Sequence, residues 1–309
     1  MIVCSGLEGL PPVPARGSVV SVGVFDGVHL GHMEILRRNL ARARALEARP
    51  TVVTFRSHPK ELLLGRAPRT LTSLEHRLEL FRRAGIEQTL VLTFDEELRS
   101  RAAADFARQV LVGGLGARLL VLGFDSKFGK GRSGTPDELR RLGHEVEVGE
   151  QVLVRGRAVS STAIREAVEL GDLDAAREML GRPFAVYGDV VHGDHLGRSL
   201  GFPTANLDPH QELLPPNGVY ACWARGAEGR EREALPAVVN VGLRPTLGSS
   251  TATPRVEAHL LDFSGDLYGR FLELEFIRHL RPERRFSALG ELSAQIGRDI
   301  EAARTVLNG

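Results

Sequence analysis

Two imidazoles three residues apart, His29 and His32, close the stretch Gly23-Val24-Phe25-Asp26-Gly27-Val28-His29-Leu30-Gly31-His32. Side chains at that spacing share one face of a helix. A helix start presents unpaired backbone N–H groups and the positive end of the helix dipole, so it favours an anion. Imidazole donors there suit a phosphate whose charge grows during transfer, which is the chemistry of nucleotidyl transfer. The same pair could ligate zinc, but a third ligand is missing nearby and Cys4 is the only thiol in the neighbourhood.

Three further segments carry related chemistry. Val159-Ser160-Ser161-Thr162-Ala163-Ile164-Arg165 puts hydroxyls at a helix cap and an arginine one turn in, a second anion-binding helix start or an ordinary N-cap. Gly123 to Gly134 mixes four glycines with Lys127, Lys130 and Arg132 and with Phe124 and Phe128. Glycine lets backbone approach a phosphate, cations hold it, and an aromatic ring covers a planar one. Gly193 to Gly201, with Arg198 between, runs into Phe202-Pro203-Thr204-Ala205-Asn206, a glycine loop that is neither a Walker loop nor a protein kinase loop.

The elements that must position these residues change character near residue 182. Before it, strand-like runs at Ser18 to Val24, Thr51 to Phe55, Thr89 to Leu92, Arg118 to Leu122 and Glu145 to Val148 alternate with helical runs at Gly31 to Arg49, Leu74 to Ala84, Ala102 to Leu111 and Asp172 to Leu180. That alternation predicts a parallel sheet wrapped by helices, with ligands beyond the carboxyl ends of the strands. The loops Phe25 to His32, Arg56 to Lys60 and Gly123 to Gly134 all fall there. After Gly181-Arg182-Pro183, strand-like runs at Phe184 to Val191, Gly218 to Trp223, Pro236 to Val241, Arg255 to Leu261 and Phe271 to Arg278 precede one helix, Ser287 to about Leu307. This half predicts a small antiparallel β-barrel with a terminal helix.

The chain's 309 residues exceed the ~250–300 at which one core usually stops growing, so two domains are expected, at 1–182 and 183–309. Forty basic and 39 acidic residues leave a net charge of +1, which offers no general attraction to nucleic acid or anionic lipid. Arg37, Arg38, Arg42 and Arg44 are then a solvated helix face. Cys4 and Cys222 form no disulfide framework, the start Met1-Ile2-Val3-Cys4-Ser5-Gly6 lacks the pattern of a signal peptide, and no apolar run is long enough to span a bilayer. The expectation is a cytoplasmic protein acting on small molecules.

The segments with His29, His32 and Ser161 to Arg165 together resemble the paired signatures of the His-x-Gly-His nucleotidyltransferases. Gly193 to Asn206 resembles the ATP and magnesium site of riboflavin kinases. With Asn217 to Tyr220, Asn240 to Thr246, Val256 to His259 and Arg285 to Ile296 the likeness runs through the second half, and over roughly residues 18 to 306 the chain resembles the bacterial bifunctional riboflavin kinases and FAD synthetases. The resemblance implies a Rossmann-like nucleotidyltransferase domain followed by a riboflavin kinase barrel. The second would convert riboflavin and ATP to FMN; the first would convert FMN and ATP to FAD and pyrophosphate; Mg2+ would serve both.

It also implies residue roles. His29 and His32 would stabilise the ATP phosphates, with Gly23, Phe25, Asp26, Gly31, Gly123, Asp125, Ser161, Thr162 and Arg165 binding the nucleotide. In the kinase, Gly193, Gly197, Arg198, Gly201, Thr204 and Asn206 would bind ATP, Thr204 and Asn206 would also hold the metal, and Glu257 would take the proton of the flavin's ribityl hydroxyl. From the residues alone, Thr204 and Asn206 are turn chemistry and Glu257 the solvent face of a strand. Val24 stands where the family often has Asn, and Ser126 where its loop usually has an aromatic; Arg56 to Lys60 is a candidate flavin contact. Three rivals stand beside it. Against a riboflavin kinase with an inactive first half, the intact His29, His32, Ser161, Thr162 and Arg165 argue. Against a nucleotidyltransferase for another phosphate with a flavin-sensing β domain, Thr204, Asn206 and Glu257 argue. A non-catalytic binding protein would need neither the paired histidines nor the candidate base.

Overall fold

The residues of Ser18 to Val22 are buried without exception, as a strand covered on both faces must be. In the computed structural model, which describes residues 1–192, 201–226, 233–244 and 253–308, that strand lies inside a six-stranded parallel sheet. Its members are β1 (Ile2–Ser5), β2 (Ser18–Val22), β3 (Arg49–Phe55), β4 (Gln88–Leu92), β5 (Ala117–Gly123) and β6 (Val146–Gly149), in the order β1-β4-β3-β2-β5-β6. Successive strand residues face opposite layers. Val20, Val53, Leu90, Leu120 and Leu122 pack with Phe106, Val110 and Leu111 on one side, while Val19, Val52 and Val121 meet Phe25, Leu36 and Ala43 on the other.

Helix α1 (Leu30–Leu46) lies on β2, β3 and β5. The buried Asn39 pins it there: its Nδ2 donates to Val19 O at 3.1 Å, Thr51 O at 3.2 Å and Ser21 Oγ at 2.9 Å. Helix α2 spans Leu74–Ala84, as the periodicity predicts. From β2 the chain steps outward to β3 and β4, then returns to place β5 on the other side of β2. The strand order therefore reverses between β2 and β5, which opens a crevice at their carboxyl ends.

The structure departs from sequence expectation at several places in this unit. β1, to which the sequence pattern assigns no element, is a parallel strand on β4. The expected helix Ala102 to Leu111 is one turn, Ala103–Phe106, that widens into a π-helix over Ala107–Gly114, with Leu115 N–H reaching back to Val110 O at 3.1 Å. A two-residue hairpin, β7 (Leu153–Val154) with β8 (Arg157–Ala158), precedes α3 (Ser161–Glu169).

By contact the chain divides into two compact units, Met1–Thr70 with Leu74–Ser161, and Leu71–Ser73 with Thr162–Gly309. This division falls earlier than residue 182 because α4 (Leu173–Leu180) packs on β9 and β14 of the second unit. There, β9 (Phe184–Val191), β10 (Ala205–Pro209), β11 (Gly218–Arg225), β12 (Leu235–Arg244), β13 (Thr253–Leu260) and β14 (Phe271–Arg281) form a closed antiparallel barrel in the order β10-β13-β12-β11-β14-β9. β10, the strand that closes it against β9, is one that the sequence presents as turn chemistry. Helix α5 (Leu289–Asn308) covers Val219, Ala221 and Val238 with Ile300, Ala303 and Val306, so β11 is buried on both faces.

Candidate functional site

The first site grows from the end of β2. Phe25, at φ 55°, and Val28, at φ 38°, are non-glycine residues in the left-handed region, a conformation kept only where surroundings enforce it. Phe25 is 1% exposed and sits edge-on to Phe81 of α2, 5.4 Å between centroids; on its other side the His32 ring lies at 5.1 Å. The loop is thus bolted to the core through Phe25 and delivers His29 to the N-cap of α1.

There the two imidazoles stack, 3.6 Å between centroids and 18° from parallel. His29 Nδ1 accepts the His32 backbone N–H at 3.4 Å, which caps the helix and leaves the ring proton of a neutral His29 on Nε2. Gly31 makes this possible: a Cβ there would come within 3.1 Å of His29 Cε1 and 3.2 Å of Nδ1. No acidic residue stands in the first turn of α1, so its positive end is not neutralised from within. Parallel rings aim their in-plane lone pairs side by side rather than at a common point, a poor geometry for zinc. One turn later Glu34 takes hydrogen bonds from Arg37 and Arg38 at 2.9 and 2.6 Å; the Arg37 bond, with Arg38 behind it, holds its carboxyl down to about 2.

Ser161 closes the loop from the far end of the unit, its Oγ donating to the carbonyl of the buried Asp26 at 2.9 Å. Thr162 and Arg165 follow in α3, on the second unit's side of the division. Gly23 lies just past β2, and Gly123 ends β5, next to β2. Asp125 is exposed in the loop beyond. Of that loop's aromatics, Phe128 packs on Phe106, 5.3 Å away, whereas Phe124 is 53% exposed.

The second site is a row across the barrel wall. Asn206 of β10 and Asn240 of β12 are both direct cross-strand partners of Glu257 on β13. Between the buried Val256 and Ala258, Glu257 lies on the half-buried face, and its Oε1 receives Arg255 Nη2 at 2.5 Å. Thr204 and Asn206 flank the buried Ala205 and so share a face. His259 Nδ1 meets Pro203 O at 2.7 Å, which ties the residue before Thr204 to β13. Asn240 Nδ2 donates to Glu283 Oε1 at 3.2 Å, and a Cβ on Gly242 would collide with that carboxylate. Gly201 is exposed at φ 85°; Gly193, Gly197 and Arg198 lie outside the described residues. Asn240, Arg255 and His259 are partners that sequence reasoning did not single out, although Asn240 and His259 stand in segments quoted for the resemblance.

Fold and sites define a two-part transferase, a nucleotidyltransferase of the His-x-Gly-His type joined to a β-barrel kinase. The FAD synthetase family matches residues 12–163 and the riboflavin kinase family residues 180–307. The bifunctional riboflavin kinase/FMN adenylyltransferase of Pseudomonas fluorescens is 40% identical over 99% of this chain and 98% of its own. That of Haemophilus influenzae is 37% identical over 95% of each. A crystal structure of a Streptococcus pneumoniae chain described as a macrolide-efflux protein superposes with a TM-score of 0.82 at 28% identity, over 98% of this chain and 99% of that one. The chain belongs to the bifunctional riboflavin kinase/FMN adenylyltransferase family: it phosphorylates riboflavin to FMN with ATP and adenylylates FMN to FAD. No helix among the described residues is long and apolar enough to cross a membrane.

Proposed function

We propose that residues 1–182 carry FMN adenylylation and 183–309 riboflavin phosphorylation, each by the residues named above, on small molecules in the cytoplasm and without a nucleic-acid partner. The observation that carries the first assignment is the His29 cap. With Nδ1 committed to the His32 N–H, Nε2–H is the donor offered to a phosphate oxygen, and the stacked His32 supplies a second beside it. As a terminal oxygen of FMN attacks the α-phosphorus and the bond to pyrophosphate breaks, charge develops where these donors and the helix N-terminus face. Gly23, Phe25, Asp26, Gly31, Gly123, Asp125, Ser161, Thr162 and Arg165 shape and hold the nucleotide.

In the barrel, Glu257 takes the proton from the ribityl hydroxyl as that oxygen attacks the γ-phosphorus of ATP and the bond from that phosphorus to the bridging oxygen breaks, releasing ADP. Arg255 orients the carboxylate, and Gly193, Gly197, Arg198 and Gly201 hold the nucleotide. The Thr204 hydroxyl, just before β10, and the Asn206 amide oxygen within it are hard donors, the class that magnesium takes, and Asn206 is in register with the base. Magnesium held by these two residues would supply positive charge against the triphosphate. Incubating the protein with ATP and Mg2+ and either riboflavin or FMN, and separating the flavins, tests both assignments. Riboflavin is expected to give FMN and then FAD, His29→Ala to stop at FMN, and Glu257→Gln to leave riboflavin unconverted while still turning supplied FMN into FAD.

A further inference from the structure

Where β2 and β3 leave the sheet, one buried guanidinium joins them. Arg77 of α2 is 5% exposed. Its Nη1 donates to Val24 O at 2.6 Å and to Thr54 Oγ1 at 3.3 Å, and its Nη2 donates to Phe55 O at 3.0 Å. Thr54 Oγ1 in turn donates to Val24 O at 3.1 Å. One residue earlier, Gly23 N–H still bonds to Val53 O as a sheet would. From Val24 onward the join between the two chains passes to side chains.

The position of this clamp is what gives it consequence. Val24 is the residue before Phe25, where the left-handed loop to His29 begins, and Phe55 is the residue before the loop Arg56 to Lys60. A buried charge is retained at a cost that an apolar side chain of similar volume would avoid, so packing does not account for an arginine here. Burial pulls its guanidinium below the ordinary arginine range, while the Asp26 and Glu75 carboxylates act the other way. A planar fork reaches two carbonyls at once, which an ammonium does not.

We infer that Arg77 is a positioning residue for adenylyl transfer, fixing the loop that carries His29 and His32 against the loop after β3, so that nucleotide and acceptor meet at one separation. This rests on the assignment of the histidine loop to ATP. The residue touches neither reactant; it sets the take-off point of both loops.

The test uses the full chain. Arg77→Lys keeps the charge and loses the fork, and a misplacement of about 1 Å at the reacting atoms costs up to ~10²-fold, so kcat for FMN adenylylation is expected to fall at least about tenfold with KM for ATP changed by less than about threefold. Riboflavin phosphorylation in the same preparation stays within about twofold, because the barrel has its own site. Thr54→Val, which removes the second donor on Val24 O without changing volume, moves kcat the same way by about threefold and decides the matter if Arg77→Lys does not fold. Unchanged adenylylation in the folded variants overturns the inference, as does a loss that tracks unfolding by circular dichroism or that falls in KM alone. His29→Ala, measured alongside, separates the two ideas: if it keeps adenylylation the loop assignment itself fails, and if it loses activity while Arg77→Lys does not, only the positioning role fails.

Discussion

Asn206 and Glu257 are direct cross-strand partners, one on β10 and one on β13, and Asn240 faces Glu257 from the other side. The candidate base of the kinase is therefore flanked by two amides, one of which is the candidate metal ligand. Register alone brings them together.

From that arrangement Glu257→Gln is expected to lower riboflavin phosphorylation by ~10²–10⁴-fold, because glutamine keeps size and reach but cannot take a proton. Conversion of supplied FMN to FAD stays near normal. Assaying both activities in one preparation checks it: a parallel fall of the two would mark Glu257 as structural, and no fall would place the base elsewhere.

At the other site His29→Ala and His32→Ala are each expected to cost ~10²–10³-fold in FAD formation while FMN accumulates, the usual loss for one transition-state donor. Gly31→Ala is a sharper probe, since both imidazoles remain. Its methyl group would lie 3.1 Å from His29 Cε1 and 3.2 Å from Nδ1, so the ring must shift by about a few tenths of an ångström, and adenylylation is expected to fall by roughly several-fold with kinase activity unchanged. Retention of full adenylylation in Gly31→Ala would show that the cap is dispensable.

The packing of α4 on β9 and β14 bears on where the chain can be cut. A fragment starting at Thr162 retains the buried Leu173, Ala176 and Leu180, whereas one starting at Phe184 strips apolar surface from the barrel. The longer fragment is expected to phosphorylate riboflavin and to melt several degrees higher than the shorter one. Equal melting temperatures would show that α4 contributes nothing to the barrel.

Glu34 offers a pH signature. Its carboxyl is held at about 2 against an ordinary 4.5, so its ion pairs favour the folded state fully above pH 4.5 and lose that contribution as pH falls through 2. Glu34→Gln should therefore cost up to about 1 kcal/mol at neutral pH, with the penalty shrinking below pH 4.5. Urea midpoints of the two proteins at several pH values check both size and sign.

How much of this was legible beforehand depends on whether the deciding interaction is local. The unbroken apolar run of β2, the bounds of α2 and the Asp172 cap with left-handed Gly181 around α4 are written within a few neighbouring residues, and the chain follows them. β1 went unread because four residues carry little pattern and their partner, β4, is remote. β10 was hidden because its start lies in Pro203-Thr204-Ala205-Asn206, which has turn composition although Asn206 pairs on both sides. At the sites, the histidine spacing foretold a shared face but not that one ring would cap the helix beneath the other. The tie from Ser161 to Asp26, the amides beside Glu257 and the Arg77 clamp all depend on contacts distant in sequence, which spacing does not encode.

Closure of the barrel has a further consequence for how activity is lost on heating. Every strand of β9 to β14 has a hydrogen-bonded neighbour on each side, so there is no free edge from which fraying can begin. Opening at Asn206 requires breaking the β10 seams to β9 or β13, and such a breach exposes the interior as a whole. Riboflavin phosphorylation should then hold nearly level with temperature and vanish in one cooperative step at the barrel's own melting point, with no gradual decline before it.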